Sequence, residues 1–135
     1  MNNFIFENAT KAVFGQGCVK EYLSCMVSHY GPNVLLAYGG GSIKRNGIYD
    51  EVCGILQSTD KNIVEFSGIM PNPTYAKVQE GAKLVRGNHI DLILAVGGGS
   101  VMDCCKAVSM AARYDGDLWA DYWARPGVVD FEPVP

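Results

Sequence analysis

The stretch that decides the fold is Asp91-Leu92-Ile93-Leu94-Ala95-Val96-Gly97-Gly98-Gly99-Ser100-Val101-Met102-Asp103. Leu92 to Val96 is a continuous apolar run, which suits a strand covered on both faces, as in a parallel sheet. Three glycines and a serine then open a helical pattern from about Val101 to Arg113. That order sets unblocked backbone N–H groups and the positive end of the helix macrodipole against an anion. Glycine suits such a turn because a Cβ would hold a phosphate away from the backbone. The motif is not one of the two common phosphate signatures. Met102 breaks G-x-G-x-x-G at its last position, and no Gly-Lys-Ser/Thr closes the loop. Ser100-Val101-Met102-Asp103 also fits a capping box, so the serine can serve the helix start, an anion, or both.

Working outward, Leu36-Ala37-Tyr38-Gly39-Gly40-Gly41-Ser42-Ile43 echoes Leu94-Ala95-Val96-Gly97-Gly98-Gly99-Ser100-Val101. Two strands of one sheet would then deliver glycine loops to the same carboxyl edge, where open α/β sheets bind ligands. Six of the 16 glycines lie in these two triplets, so the excess is local and excludes collagen-like or low-complexity chains. The first loop reads differently from the second. In a dinucleotide fold an acid after a strand hydrogen-bonds the adenine-ribose 2′-hydroxyl and selects NAD. Here no acid stands between Tyr38 and Asp50; Ser42, Lys44 and Arg45 follow instead. Small residues, a hydroxyl and two cations suit a 2′-phosphate, and the plain alternative is a turn with a solvated basic pair.

The remaining segments alternate in type. Val19, Tyr22, Leu23, Met26, Val27 and Tyr30 form one helical stripe, which Gly31-Pro32 stops. Helices are also expected from about Asn46 to Gln57 and from Thr74 to Gly87-Asn88, with strands at Val34–Tyr38 and Asn62–Phe66. Pro71 and Pro73 push their predecessors toward extended geometry. Phe4–Phe6 and Ala12–Phe14 read as a small hairpin, and 124–135 as an irregular tail. The fold class is α/β, a Rossmann-like parallel sheet with flanking helices and an N-terminal β-hairpin.

At 135 residues the chain is one domain, and 48% apolar with 19% charged residues argues against disorder. A net charge of −3 removes the electrostatic basis for general nucleic-acid binding. No apolar run approaches the ~18 residues of a membrane span, so no membrane partner is expected. Met1-Asn2-Asn3-Phe4 lacks the basic and apolar regions of a secretory leader, and a cytoplasmic location is expected by default. The five cysteines include no C-x-x-C pair, which fits reduced thiols better than structural zinc or disulfides. Cys104 and Cys105 are expected to pack, with a nucleophilic role as the rival. Trp119, Tyr122 and Trp123 read as an apolar cluster, or else as the lining of a pocket. Neither His29 nor His89 sits in a metal motif, so no metal site is expected.

Three ordered motifs carry a family resemblance: Tyr38-Gly39-Gly40-Gly41-Ser42-Ile43-Lys44, Gly68-Ile69-Met70-Pro71-Asn72-Pro73, and Ala95 to Asp103. With Phe4…Phe14-Gly15-Gln16-Gly17, they resemble the iron-containing (group III) alcohol dehydrogenases, most closely the NADPH-dependent butanol dehydrogenase and aldehyde reductase branch. The resemblance runs from about Asn2 to Trp123 and implies the N-terminal dinucleotide-binding domain, 1–135, of a longer enzyme. It implies that Gly97, Gly98, Gly99 and Ser100 cradle the pyrophosphate of NADP(H), with Asp103 near the cofactor at the domain cleft. Asn72 would contact the adenosine side. Gly40 would stand where NAD-preferring relatives carry an aspartate and, with Gly41 and Ser42, leave space for the 2′-phosphate. Family members transfer hydride between the nicotinamide and an alcohol or aldehyde, using a divalent metal, iron or zinc, held by a helical C-terminal domain absent here. These residues alone are therefore expected to bind cofactor without turnover and to leave a strand edge unpaired, and a homo-oligomer is expected. The rivals are an NAD-dependent glycerol dehydrogenase-like or dehydroquinate synthase-like relative, and a non-catalytic nucleotide-binding module.

Overall fold

The computed structural model describes residues 10–124 and 130–135. In chain order these form α1 (Cys18–Val27), β1 (Asn33–Tyr38), a one-turn α2 (Ser42–Arg45), α3 (Ile48–Ser58), β2 (Asn62–Phe66), α4 (Tyr75–Gly87), β3 (Leu92–Val96) and α5 (Gly99–Ala111). A single π-helical turn follows at Trp119–Trp123. The three strands are parallel in the order β2-β1-β3, with Ala37 opposite Phe66 and Tyr38 opposite Val96.

The apolar run of β1 places it in the middle. Val34 to Tyr38 are all buried, at 0–4% exposure. Alternation along the strand divides them between two cores. Leu35 and Ala37 join Phe66, Val78 and Ala82 of α4, and Cys104 and Val108 of α5. Val34, Leu36 and Tyr38 meet Val27 of α1, Ile43, and Val52 and Leu56 of α3 on the opposite face. Helices thus cover both faces of the sheet, as the continuous apolar runs require. Where α4 and α5 pack together over β2 there is no spare room. A Cβ at Gly81 would lie 2.6 Å from Val108 Cγ2 and 2.9 Å from Phe66 Cε1.

Local signals set most of the element ends. Thr74 is the N-cap of α4, its side chain accepting the Lys77 N–H at 3.3 Å. Thr74→Ala is expected to lower stability by about 1 kcal/mol, read as a shift in the urea midpoint.

Other expectations shift. The helix expected from Asn46 begins at Ile48, because a separate one-turn helix occupies Ser42–Arg45. Of the hairpin, Phe4–Phe6 lies outside the described residues, and Ala12–Phe14 belongs to no strand among the described ones. Residues 130–135 carry no helix or strand, yet they dock. Val134 is buried and donates its N–H to the Ser109 carbonyl at 3.2 Å, while the Ile93 N–H donates to the Pro135 carbonyl at 2.6 Å. Among the described residues no helix is long and apolar enough to cross a membrane.

Candidate functional site

After β1 the chain crosses to one side of that strand to make β2, then to the other side to make β3. The direction of winding therefore reverses between β1 and β3. Such a reversal opens the crevice in which doubly wound sheets bind ligands. Both glycine triplets leave the sheet there.

Close approach explains the first glycine of each triplet. A Cβ at Gly97 would stand 2.7 Å from Val101 Cγ2, and one at Gly39 would stand 3.1 Å from the Ile69 carbonyl oxygen. The loop after β2 is tied down at this point. Gly68 N–H donates to the Gly39 carbonyl at 3.0 Å, and Ile69 N–H to the Tyr38 carbonyl at 3.3 Å. These bonds bring the Pro71-Asn72-Pro73 turn to the edge that carries the triplets. Three of the other four face open space: a Cβ at Gly40, Gly98 or Gly99 would meet nothing within 4 Å.

At the start of α5 the expected capping box does not form. The N-cap is Gly98, in extended backbone, and no side chain caps the helix. Val101 and Met102 N–H groups donate to the Gly98 carbonyl at 3.0 and 3.2 Å. Ser100 therefore lies inside the first turn, two residues too late to cap. Asp103 turns outward and pairs with Lys106 at 3.4 Å. The N–H groups of Gly99 and Ser100 have no partner within the helix, by the geometry of a first turn. With the macrodipole behind them, they are donors of the kind that an anion can accept from.

Asn72 departs from the extended geometry that a following proline favours. Its φ is 52°, in the left-handed region that asparagine tolerates better than most residues. Pro73 and Asp103 then line one cleft of about 200 Å³ with Cys104, Trp119 and Trp123. The aromatic trio expected to act together is thus divided. Trp119 and Trp123 face the cleft, whereas Tyr122 packs edge-on against Tyr114 and Phe131.

On the first loop, Gly40 and Gly41 are exposed and Ser42 opens α2. The two cations that follow have separate fates. Arg45 reaches back, with Nη1 3.2 Å from the place a Gly41 Cβ would take. Lys44 turns the other way, to lie 3.8 Å from Glu65 Oε2 and over the rings of Tyr38 and Tyr49. The hydroxyls of Tyr38 and Tyr49 donate to the two oxygens of Glu65. Those two bonds, the Tyr38 one foremost, hold the Glu65 carboxyl below its ordinary range, with Lys44 adding to the effect. Tyr38 and then Glu65 hold the Lys44 ammonium above its own range. Sequence reading missed this group because its members come from β1, α2, α3 and β2, and no linear spacing announces it.

Cys104 and Cys105 are buried. Desolvation raises both thiols, Cys105 to about 12, so neither forms an appreciable thiolate at neutral pH. They pack rather than attack. His29 and His89 are exposed. Among the described residues no group of three or more His, Cys, Asp or Glu could hold a metal ion.

Comparisons with known proteins agree with this geometry. The family described as "Iron-containing alcohol dehydrogenase" matches residues 9–134. The chain is 53% identical over 119 residues to the probable NADH-dependent butanol dehydrogenase 2 of Bacillus subtilis, covering 88% of this chain and 30% of that protein. It is 41% identical to the NADPH-dependent aldehyde reductase YqhD of Escherichia coli, covering 91% of this chain and 30% of the reductase. Its fold superposes on the crystal structure of NADH-dependent butanol dehydrogenase A from Thermotoga maritima with a TM-score of 0.80 and 43% identity, covering 88% of this chain and 30% of that one. The chain thus spans about 30% of the length of the curated relatives it matches. The iron in the family's name finds no ligand set among the described residues, so no chemistry is assigned to a metal here. In sequence and in fold, this chain belongs to the iron-containing alcohol dehydrogenase family.

Proposed function

We propose that residues 1–135 are the N-terminal dinucleotide-binding domain of an NADP(H)-dependent alcohol dehydrogenase or aldehyde reductase. The observation that carries this reading is the open, uncapped start of α5 at the β1/β3 reversal, where Gly98 and Gly99 leave room for a phosphate. Gly97 to Ser100 hold the pyrophosphate, and Asn72 meets the adenosine side. Gly40, Gly41 and Ser42 leave space for the 2′-phosphate, which Arg45 is placed to neutralise. Asp103 borders the nicotinamide side, at the mouth of the cleft it shares with Pro73. When bound, the dinucleotide supplies hydride transfer to or from a small alcohol or aldehyde; these residues bind and orient it. A divalent metal, iron or zinc, would be held by residues outside this stretch. The assembled enzyme is a cytoplasmic homo-oligomer in this reading.

Titration of the chain with NADPH and NADH, followed by nicotinamide fluorescence, tests the reading. NADPH is expected to bind about tenfold more tightly, the worth of one charge-assisted contact to the extra phosphate. Butyraldehyde is expected to remain unreduced by these residues alone. Failure to bind either dinucleotide, or robust turnover, overturns the proposal. A second reading, NAD(H) as the cofactor, is favoured by the engagement of Lys44 with Glu65, and tighter binding of NADH would select it.

A further inference from the structure

We propose that Glu65 sets the cofactor preference of this site by withholding the charge of Lys44 from the adenosine 2′-phosphate. The inference rests on the dinucleotide binding proposed above. Between Tyr38 and Asp50 the cations are Lys44 and Arg45, and a 2′-phosphate is distinguished from a 2′-hydroxyl chiefly by its negative charge. Arg45 lies beside Gly41, on the loop itself. Lys44 is held against β1, β2 and α3 by one contact to each. Its Nζ is 3.8 Å from Glu65 Oε2, 4.4 Å from the centre of the Tyr49 ring and 5.2 Å from that of Tyr38.

The Glu65 carboxylate is itself fixed, since each oxygen accepts a tyrosine hydroxyl, one from β1 and one from α3. It cannot swing away to release the lysine without losing both bonds. An ammonium and a carboxylate this close nearly cancel beyond a few ångströms, so an anion on the loop meets the charge of Arg45 alone. Glu65 is a positioning residue that acts through Lys44 and touches neither the reacting carbon nor the nicotinamide.

Glu65→Gln keeps the size of the side chain and one acceptor oxygen but removes the charge; its amide nitrogen donates, so one tyrosine hydroxyl turns to accept. The readout is the ratio of NADPH to NADH affinity, measured by titrating the chain with each dinucleotide; loss of packing alone would lower both affinities together. Glu65→Gln is expected to raise that ratio about threefold, the scale of an exposed charge pair. The gain is expected to shrink at about 0.5 M salt, where the Debye length falls to a few ångströms. Lys44→Met is expected to leave the ratio within about twofold of wild type and to abolish the gain when combined with Glu65→Gln. Arg45→Met is expected to lower the ratio about tenfold. An unchanged ratio in Glu65→Gln overturns the inference, as does a Lys44→Met loss equal to that of Arg45→Met. If the unaltered chain binds neither dinucleotide, the proposed function and this inference fall together. If it binds both and Glu65→Gln changes nothing, the inference falls alone.

Discussion

Gly98→Val is expected to weaken dinucleotide binding by about 100-fold while costing no more than about 1 kcal/mol of stability. The two effects separate because, in the proposed site, Gly98 is constrained by the phosphate that approaches it, while the fold itself leaves the position open. Its backbone is extended, with φ −84° and ψ −170°, a conformation any residue adopts. A Cβ there meets nothing within 4 Å, so the folded chain accommodates a branched side chain at the modest cost of a poorer N-cap. A pyrophosphate could no longer reach the N–H groups of Gly99 and Ser100. Each charge-assisted hydrogen bond is worth roughly 1.5–3 kcal/mol, and the loss of two at the lower end of that range gives about the expected factor. Gly97 makes the contrast, since a Cβ there strikes Val101 at 2.7 Å and its replacement would disturb fold and site together. Thermal melting alongside an NADPH titration checks the prediction. A Gly98→Val chain that binds as the wild type does would remove the pyrophosphate from this loop.

Phe66→Ala is expected to be the most destabilising single truncation in the core over α4 and α5, at about 3–5 kcal/mol. Phe66 is the last residue of β2, only 1% exposed, and wedged beneath the close packing of α4 and α5. Its ring edge lies so near Gly81 that α4 has no side chain to offer there, and Lys77 Nζ sits 4.7 Å from the ring centre. Removing the ring leaves a cavity that neither helix fills without moving the other. Set against a typical total of roughly 5–15 kcal/mol, the loss brings the chain close to unfolding. The urea midpoint measures it. A cost below about 1 kcal/mol would mean that α4 and α5 collapse onto the sheet and that the core is less specifically packed than its geometry indicates.

These two residues also mark how far the sequence could be read. The helices of α1, α4 and α5, the three strands and the parallel sheet were legible because period and composition are local properties, and each apolar run carried its own boundary signals. The glycine triplets were legible as loops for the same reason. The capping box at Ser100 was misread because the spacing S-x-x-[DE] recurs wherever a serine precedes an acid, and only the backbone shows that α5 starts from Gly98. Asn72 was misread because the rule for residues before proline is a steric preference, which the connection from Gly68 to Pro73 overrides.

What the sequence by itself determined is the family and the chemistry of the candidate loops: backbone left bare by glycine, a hydroxyl, and no acid between Tyr38 and Asp50. What only the tertiary structure decided is how the charges around those loops are spent. Lys44 and Arg45 are neighbours in the chain, yet one faces Glu65 across two tyrosine rings and the other faces the loop. Phe66 and Gly81 likewise read as an ordinary strand end and an ordinary helix position until the strand order brings them together. Electrostatic and packing partners are chosen by distance in space, and the β2-β1-β3 winding, not proximity along the chain, sets those distances.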